Sequence, residues 1–303
     1  MSGRADEKVE VREGFVEVTG GKVWYRMAGA GRPGIPLLVL HGGPGAPHDY
    51  LESLAVLADE RPVVFYDQLG CGNSERPEDV SLWNVERFVE ELGQVRAALG
   101  LKQVHILGQS WGTMLATDYM LSGPEEPEGV ISLIFSAPAL STARWARDTR
   151  ELVAALPEDS RGAIEQSEAT GDFAAESYQA AMLSFYRKHL CRLDPWPDSM
   201  QRTFEKMGTL VYETMWGPSE FTITGSLRGY DRVDRLKEIT VPVLFTCGRH
   251  DEATPAATEY YHRHLPGSEM VVIEEAAHMH HLEKPEEYFK AVRAFLRRAE
   301  TGS

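Results

Sequence analysis

Residues 108–112 read Gly-Gln-Ser-Trp-Gly, between the apolar run "VHIL" and the helix-like "TMLATDYML". A serine in a G-x-S-x-G turn from strand to helix holds its hydroxyl exposed, because the flanking glycines let the backbone pass closely. The helix start also favours negative charge that develops there. Such a hydroxyl needs a base, and the base needs an orienting acid. "VPVLFTCGRHDEATP" ends a strand-like run with Asp251 and Glu252, and "MVVIEEAAHMHHLEKP" ends the next with histidines. Ser110, Asp251 and His278 therefore stand in the chain order expected of a nucleophile turn, its acid and its base.

His278 comes first after its strand, whereas His280 and His281 read as supporting or helix-start residues. His250 precedes the acid in the same loop and cannot easily face it. The cluster "HMHH" lacks the acid or cysteine companions of a ligand set, so no metal and no organic cofactor are expected. A further stretch, "LVLHGGPGAPHDY", ends another buried strand with His41-Gly42-Gly43-Pro44-Gly45. Glycines there free a backbone N–H for a reacting carbonyl oxygen. Paired with the N–H of Trp111, it makes a two-donor oxyanion hole. Gly43 is the favoured donor and Gly42 remains open. "FYDQLGCGNSERP" reads as architecture: Gly70 and Gly72 shape a turn, and Asp67 bonds within the loop.

The elements that must position these residues alternate along the chain. "GFVEVTGGKVWYRMAG" is a hairpin turning at Gly20-Gly21. "IPLLVLHGG", "RPVVFYDQLG", "VHILGQS" and "GVISLIFSAPA" are continuous apolar runs, as strands buried on both faces require. "VERFVEELGQVRAALG" has apolar residues at helical spacing and stops at a glycine. From about Pro138 to about Tyr230 only amphipathic, charged stretches occur, such as "ARDTRELVAAL" and "AESYQAAMLSFYRKHL". The expected organisation is an α/β core from residues 1–137 and 231–303, with a helical insertion at 138–230. The core is a mostly parallel sheet with helices on both faces, whose functional groups gather at the carboxyl ends of strands.

Composition narrows the partners. The chain has 303 residues, 46 acids against 31 Lys and Arg, and a formal charge of −15. That balance argues against nucleic acid and anionic membranes and is compatible with a cationic substrate. The polar N-terminus "MSGRADEKVEVREGF" has no apolar core of a secretory signal, and no run approaches a membrane span. Cys71, Cys191 and Cys247 are scattered and odd in number, as in a reduced cytoplasmic protein.

Taken together, "HGGPG", "DQLGCGNS", "GQSWG", "GRHDEATP" and "AHMHHLEKP" resemble the proline iminopeptidases of the α/β-hydrolase superfamily. "MWGPSEFTITGSLRGYD" resembles that family's cap, especially in the tricorn-interacting aminopeptidases. The resemblance implies an α/β-hydrolase fold with a helical cap inserted over the site. It also implies a serine aminopeptidase that releases an N-terminal residue, proline or another, often apolar, one, from short peptides through an acyl-enzyme. Recognition of the substrate's free amine falls by this resemblance to Glu220 and Glu252, with Glu213 as a helper. Tyr212, Trp216, Phe221 and Trp111 are candidate pocket walls, although aromatics at such spacing are commonly core. An amidase or esterase acting on amino-acid derivatives or a secondary metabolite is the alternative. A non-catalytic binding protein is disfavoured by the complete Ser–Asp–His order. A dehalogenase or epoxide hydrolase would carry an acid at position 110.

Overall fold

The computed structural model describes residues 9–302; the first eight, which belong to the polar N-terminal segment, lie outside the described residues. The strands are β1 (Val11–Val18), β2 (Gly21–Ala28), β3 (Leu37–Leu40), β4 (Val63–Tyr66), β5 (Val104–Gln109), β6 (Val130–Ser136), β7 (Val243–Gly248) and β8 (Glu269–Ile273). They form one sheet in the order β1-β2-β4-β3-β5-β6-β7-β8. β1 and β2 are the antiparallel hairpin, and β2 runs antiparallel to β4. From β4 through β8 the pairing is parallel. The order reverses at β3, with β4 on one side and β5 on the other. In open α/β sheets the crevice at such a reversal is where ligands bind.

The apolar runs are continuous because both faces of the sheet are covered. Neighbouring residues of β3 divide between two cores, Leu38 and Leu40 in one, Leu37 and Val39 in the other. The first core takes Phe88, Leu92 and Val95 of α1 (Val85–Ala98), residues of α2 (Trp111–Met120), and Ala257 and Tyr261 of a later helix, α8 (Pro255–His264). The second takes Tyr288, Val292, Phe295 and Leu296 of the C-terminal α10 (Pro285–Thr301). It also takes Leu51, Leu54 and Leu57 of a 3₁₀ helix, His48–Asp59. Helix α1 begins where the Asn84 side chain accepts the Arg87 N–H, a cap that satisfies one free helical donor.

Between β6 and β7 come α3 (Thr142–Ala154), α4 (Glu158–Thr170), α5 (Glu176–His189), α6 (Asp198–Glu205) and α7 (Thr209–Met215). They have a small core of their own, including Ile164, Tyr178, Phe185 and Phe221. After β7 follow α8 (Pro255–His264), α9 (His280–Glu283) and α10 (Pro285–Thr301). The insertion is fastened to the rest at several points. On α6, Arg202 bonds Asp49 at 3.2 Å and Glu52 at 2.6 Å, and Lys206 just beyond it reaches Asp49 at 2.8 Å. The Gly208 N–H donates to the Gly45 carbonyl at 2.8 Å. At the end of α5, the His189 carbonyl accepts the N–H groups of Glu252 (3.3 Å) and His278 (3.1 Å).

The turn from β5 into α2 depends on two glycines. A Cβ on Gly108 would lie 2.3 Å from the Gly112 carbonyl oxygen, and one on Gly112 would lie 2.2 Å from that of Leu40. Backbone cannot yield as a flexible side chain does, so a methyl group here forces strand and helix apart. Gly112→Ala should lower stability by at least about 2 kcal/mol. Thermal or urea unfolding of the purified variant checks this, and an unchanged midpoint would contradict the packing described.

Candidate active site

Ser110 sits on that turn with φ 54° and ψ −120°, a conformation a non-glycine residue rarely adopts. Such strain costs on the order of 1–3 kcal/mol and persists only where the surroundings over-determine it. Here they do. The Ser110 carbonyl accepts both the Thr113 N–H (2.8 Å) and the Thr113 hydroxyl (2.6 Å), and the Ser110 N–H donates to Ser136 (3.0 Å).

Asp251 follows β7 and is buried, and His278 follows β8. The Nδ1–H of His278 donates to Asp251 Oδ1 at 2.7 Å. The same oxygen accepts the Ala253 N–H at 2.7 Å, and Oδ2 accepts the Gly248 N–H at 3.3 Å. The carboxylate is thus held by its own loop, and it fixes the imidazole tautomer that leaves Nε2 unprotonated. Ser110 and His278 line one cavity of about 240 Å³, as do Gly43 and Glu220. Trp145 of α3 stands edge-on to the His278 ring, 6.0 Å between centroids.

The glycine loop after β3 lies against the serine: a Cβ on Gly42 would be 3.1 Å from the Ser110 Cβ. The Gly42 N–H donates to the Tyr50 hydroxyl at 2.8 Å. Among the described residues the N–H groups of Gly43 and Trp111 have no hydrogen-bond partner. Gly43 has φ +104°, where a Cβ would meet the Ala46 nitrogen at 2.6 Å, so only glycine fits.

Glu252 is 1% exposed, and neither of its carboxylate oxygens has a hydrogen-bond partner. Its Oε1 lies 4.0 Å from His278 Nε2. Burial drives its carboxyl well above the ordinary value, and the neighbouring Glu220 and Asp251 push in the same direction. Glu220, in the segment after α7, accepts the Tyr212 hydroxyl at 2.9 Å. Burial raises Glu220 too, opposed by His278 and by the Tyr212 bond. The two acids are near enough to influence each other, but only Glu220 lines the cavity, and neither accepts a hydrogen bond from a Lys or Arg among the described residues.

The other expectations divide. His280 Nε2 bonds Thr246 (3.0 Å) and Ser136 (3.1 Å), and burial pushes it down to about 4. His281 Nε2 donates to the Tyr50 carbonyl at 3.0 Å. The histidines of "HMHH" therefore point to separate partners. His250 is exposed, and its carbonyl accepts from His189 at 2.9 Å. Of the four aromatics, Tyr212 lines the cavity. Trp216 instead packs edge-on to Trp145, Phe221 joins the core of the insertion, and the Trp111 ring donates to Gln68 at 2.8 Å. Glu213 is exposed at the cavity rim. Asp67 accepts Asn73 within its loop, as expected, but also holds His48 Nδ1 at 2.7 Å. Tyr50 and the methionines on the cavity wall, Met182, Met200, Met207 and Met279, carried no motif to reveal them.

This geometry has close counterparts. Residues 35–285 match the family model described as alpha/beta hydrolase fold. A proline iminopeptidase of Heyndrickxia coagulans is 47% identical over 285 residues, 94% of this chain and 98% of that protein. One from Lactobacillus acidophilus is 39% identical over 95% of this chain and 99% of its own length. The crystal structure of the proline iminopeptidase of Mycobacterium smegmatis superposes with a TM-score of 0.86 at 36% identity, covering 96% of this chain and 99% of that one. The chain belongs to the proline iminopeptidase family of α/β-hydrolases.

Proposed function

We propose that the protein is a serine aminopeptidase that releases an N-terminal proline, or a similar apolar residue, from short peptides. The observation that carries the choice of an exopeptidase is Glu252, a buried carboxylate with both oxygens unpartnered beside a second acid. An isolated buried charge is costly, and a cation is its natural complement. A substrate primary or secondary ammonium group set between Glu252 and Glu220 supplies that cation. It also fixes the distance from the amine to the first peptide carbonyl, so the first residue alone reaches Ser110.

In the proposed mechanism, Ser110 Oγ attacks that carbonyl as His278 Nε2 takes its proton. Asp251 keeps the imidazole oriented and stabilises its cationic form. The N–H groups of Gly43 and Trp111 hold the tetrahedral oxyanion. His278 then protonates the leaving amine, and water, deprotonated by the same imidazole, releases the acyl group from Ser110. Residues 138–230 act as the cap, contributing Glu220 and Tyr212. An amidase or esterase would use the same serine, but the paired acids serve a substrate with a free amine. The three cysteines are free and buried, in keeping with a reducing compartment such as the cytoplasm. No described helix is long and apolar enough to cross a membrane.

Aminoacyl chromogenic amides, each with a free and a blocked amine, test this reading; equal cleavage of both forms would overturn it. Ser110→Ala should lower kcat by at least about 10⁴-fold. Glu220→Gln should lower kcat/KM for a prolyl amide by about 100-fold while changing a neutral ester by less than about 3-fold.

The same acids burden the free enzyme. Because the folded state raises the Glu252 carboxyl, it binds the proton more tightly than the unfolded chain. Stability from this group is present at low pH and is lost as pH rises through the raised value. Glu252→Gln should therefore raise Tm by at least about 2 °C at pH 8, with a smaller gain at pH 5. Thermal melts at the two pH values read the difference directly.

A further inference from the structure

Tyr50 lies in the 3₁₀ helix after the glycine loop, and it is 2% exposed. Its hydroxyl accepts the Gly42 N–H at 2.8 Å and donates to Gln109 Oε1 at 2.6 Å. Gln109 is the residue before Ser110, so one hydroxyl spans the glycine loop and the nucleophile turn. The approach is tight: a Cβ on Gly42 would lie 2.7 Å from Gln109 Oε1 and 3.0 Å from the Tyr50 oxygen. Tyr50's own backbone is pinned on both sides. Its N–H donates to Thr203 Oγ1 of α6 at 3.0 Å, and its carbonyl accepts His281 Nε2 at 3.0 Å. The phenol is kept neutral, since burial raises it far above its ordinary value, and a neutral phenol can accept and donate at once.

We infer that Tyr50 is a positioning residue for the oxyanion hole. It occupies the Gly42 N–H and ties that glycine to Gln109, which leaves the Gly43 N–H free to donate at the reacting carbonyl. This inference rests on the mechanism proposed above. It gives His281 and Thr203 a function as well: they hold the backbone from which the hydroxyl is aimed. A purely structural tyrosine, by contrast, would affect folding and ground-state binding as much as turnover.

The test is Tyr50→Phe, which keeps the ring and removes the bridge. With a prolyl chromogenic amide, kcat should fall about 10- to 100-fold, less than complete loss of an oxyanion donor, with KM changed less than about 3-fold. A prolyl boronate, which forms a tetrahedral adduct on the serine, should lose affinity by a similar factor, while proline itself as a product inhibitor should bind as before. Gln109→Leu, which cuts the other half of the bridge, should move kcat and boronate affinity in the same direction. It also carries the test if Tyr50→Phe does not fold. Unchanged kcat, or equal losses of boronate and proline binding in a folded variant, would overturn the inference. Failure of the unmodified enzyme to cleave prolyl substrates would instead overturn the aminopeptidase reading, so the two failures are distinct.

Discussion

At the start of α2 the Gly112 backbone runs so close to the Leu40 carbonyl that a hydrogen fits between them and a methyl does not. Much of the site follows from that contact. It draws the end of β5 against the end of β3, the two strands at which the sheet order reverses. The serine turn and the glycine loop then become neighbours, although about 65 residues separate them in sequence. It also holds Ser110 in a conformation that the residue would not choose, with the Thr113 bonds completing the constraint. Close packing of backbone on backbone does here what a larger side chain could not.

Charge is arranged by a different logic at each acid. Asp251 is enclosed by donors, two N–H groups and the His278 ring. Glu252, the next residue, comes within 4.0 Å of the other nitrogen of the same ring and has no hydrogen-bond donor among the described residues. Adjacent positions in one loop thus differ sharply in how their carboxyl oxygens are satisfied. A folded protein keeps an unsatisfied buried carboxylate only at a loss of stability, and such losses concentrate where ligands bind.

Legibility of the site in the sequence follows the range of the contacts involved. Ser110, Asp251 and His278 each sit in a loop straight after an apolar strand, so motif and chain order alone nominate them. The alternating elements gave the mostly parallel sheet and its helices by the same local reasoning. The sequence favours Gly43 over Gly42 only weakly, because what occupies the Gly42 N–H is Tyr50, eight residues away, whose backbone is held by Thr203 and His281. The aromatics of "MWGPSEF" looked alike in one dimension. Only packing separates Tyr212 on the cavity from Trp216 against Trp145. Likewise the methionine wall assembles from α5, α6 and the loops beside α7 and α9, so no single stretch announces it.

The carbonyl of His189 bears on how such enzymes could be rebuilt. It belongs to the insertion, yet it accepts the N–H groups of the residue after Asp251 and of His278 itself. Exchanging the insertion for that of a relative would therefore alter more than pocket shape. Unless the graft supplied an acceptor at the same point, two amides of the loops bearing Asp251 and His278 would be orphaned at once. Modularity here has a lower limit, and recombination that respects it must keep the C-terminal turn of α5 with the core.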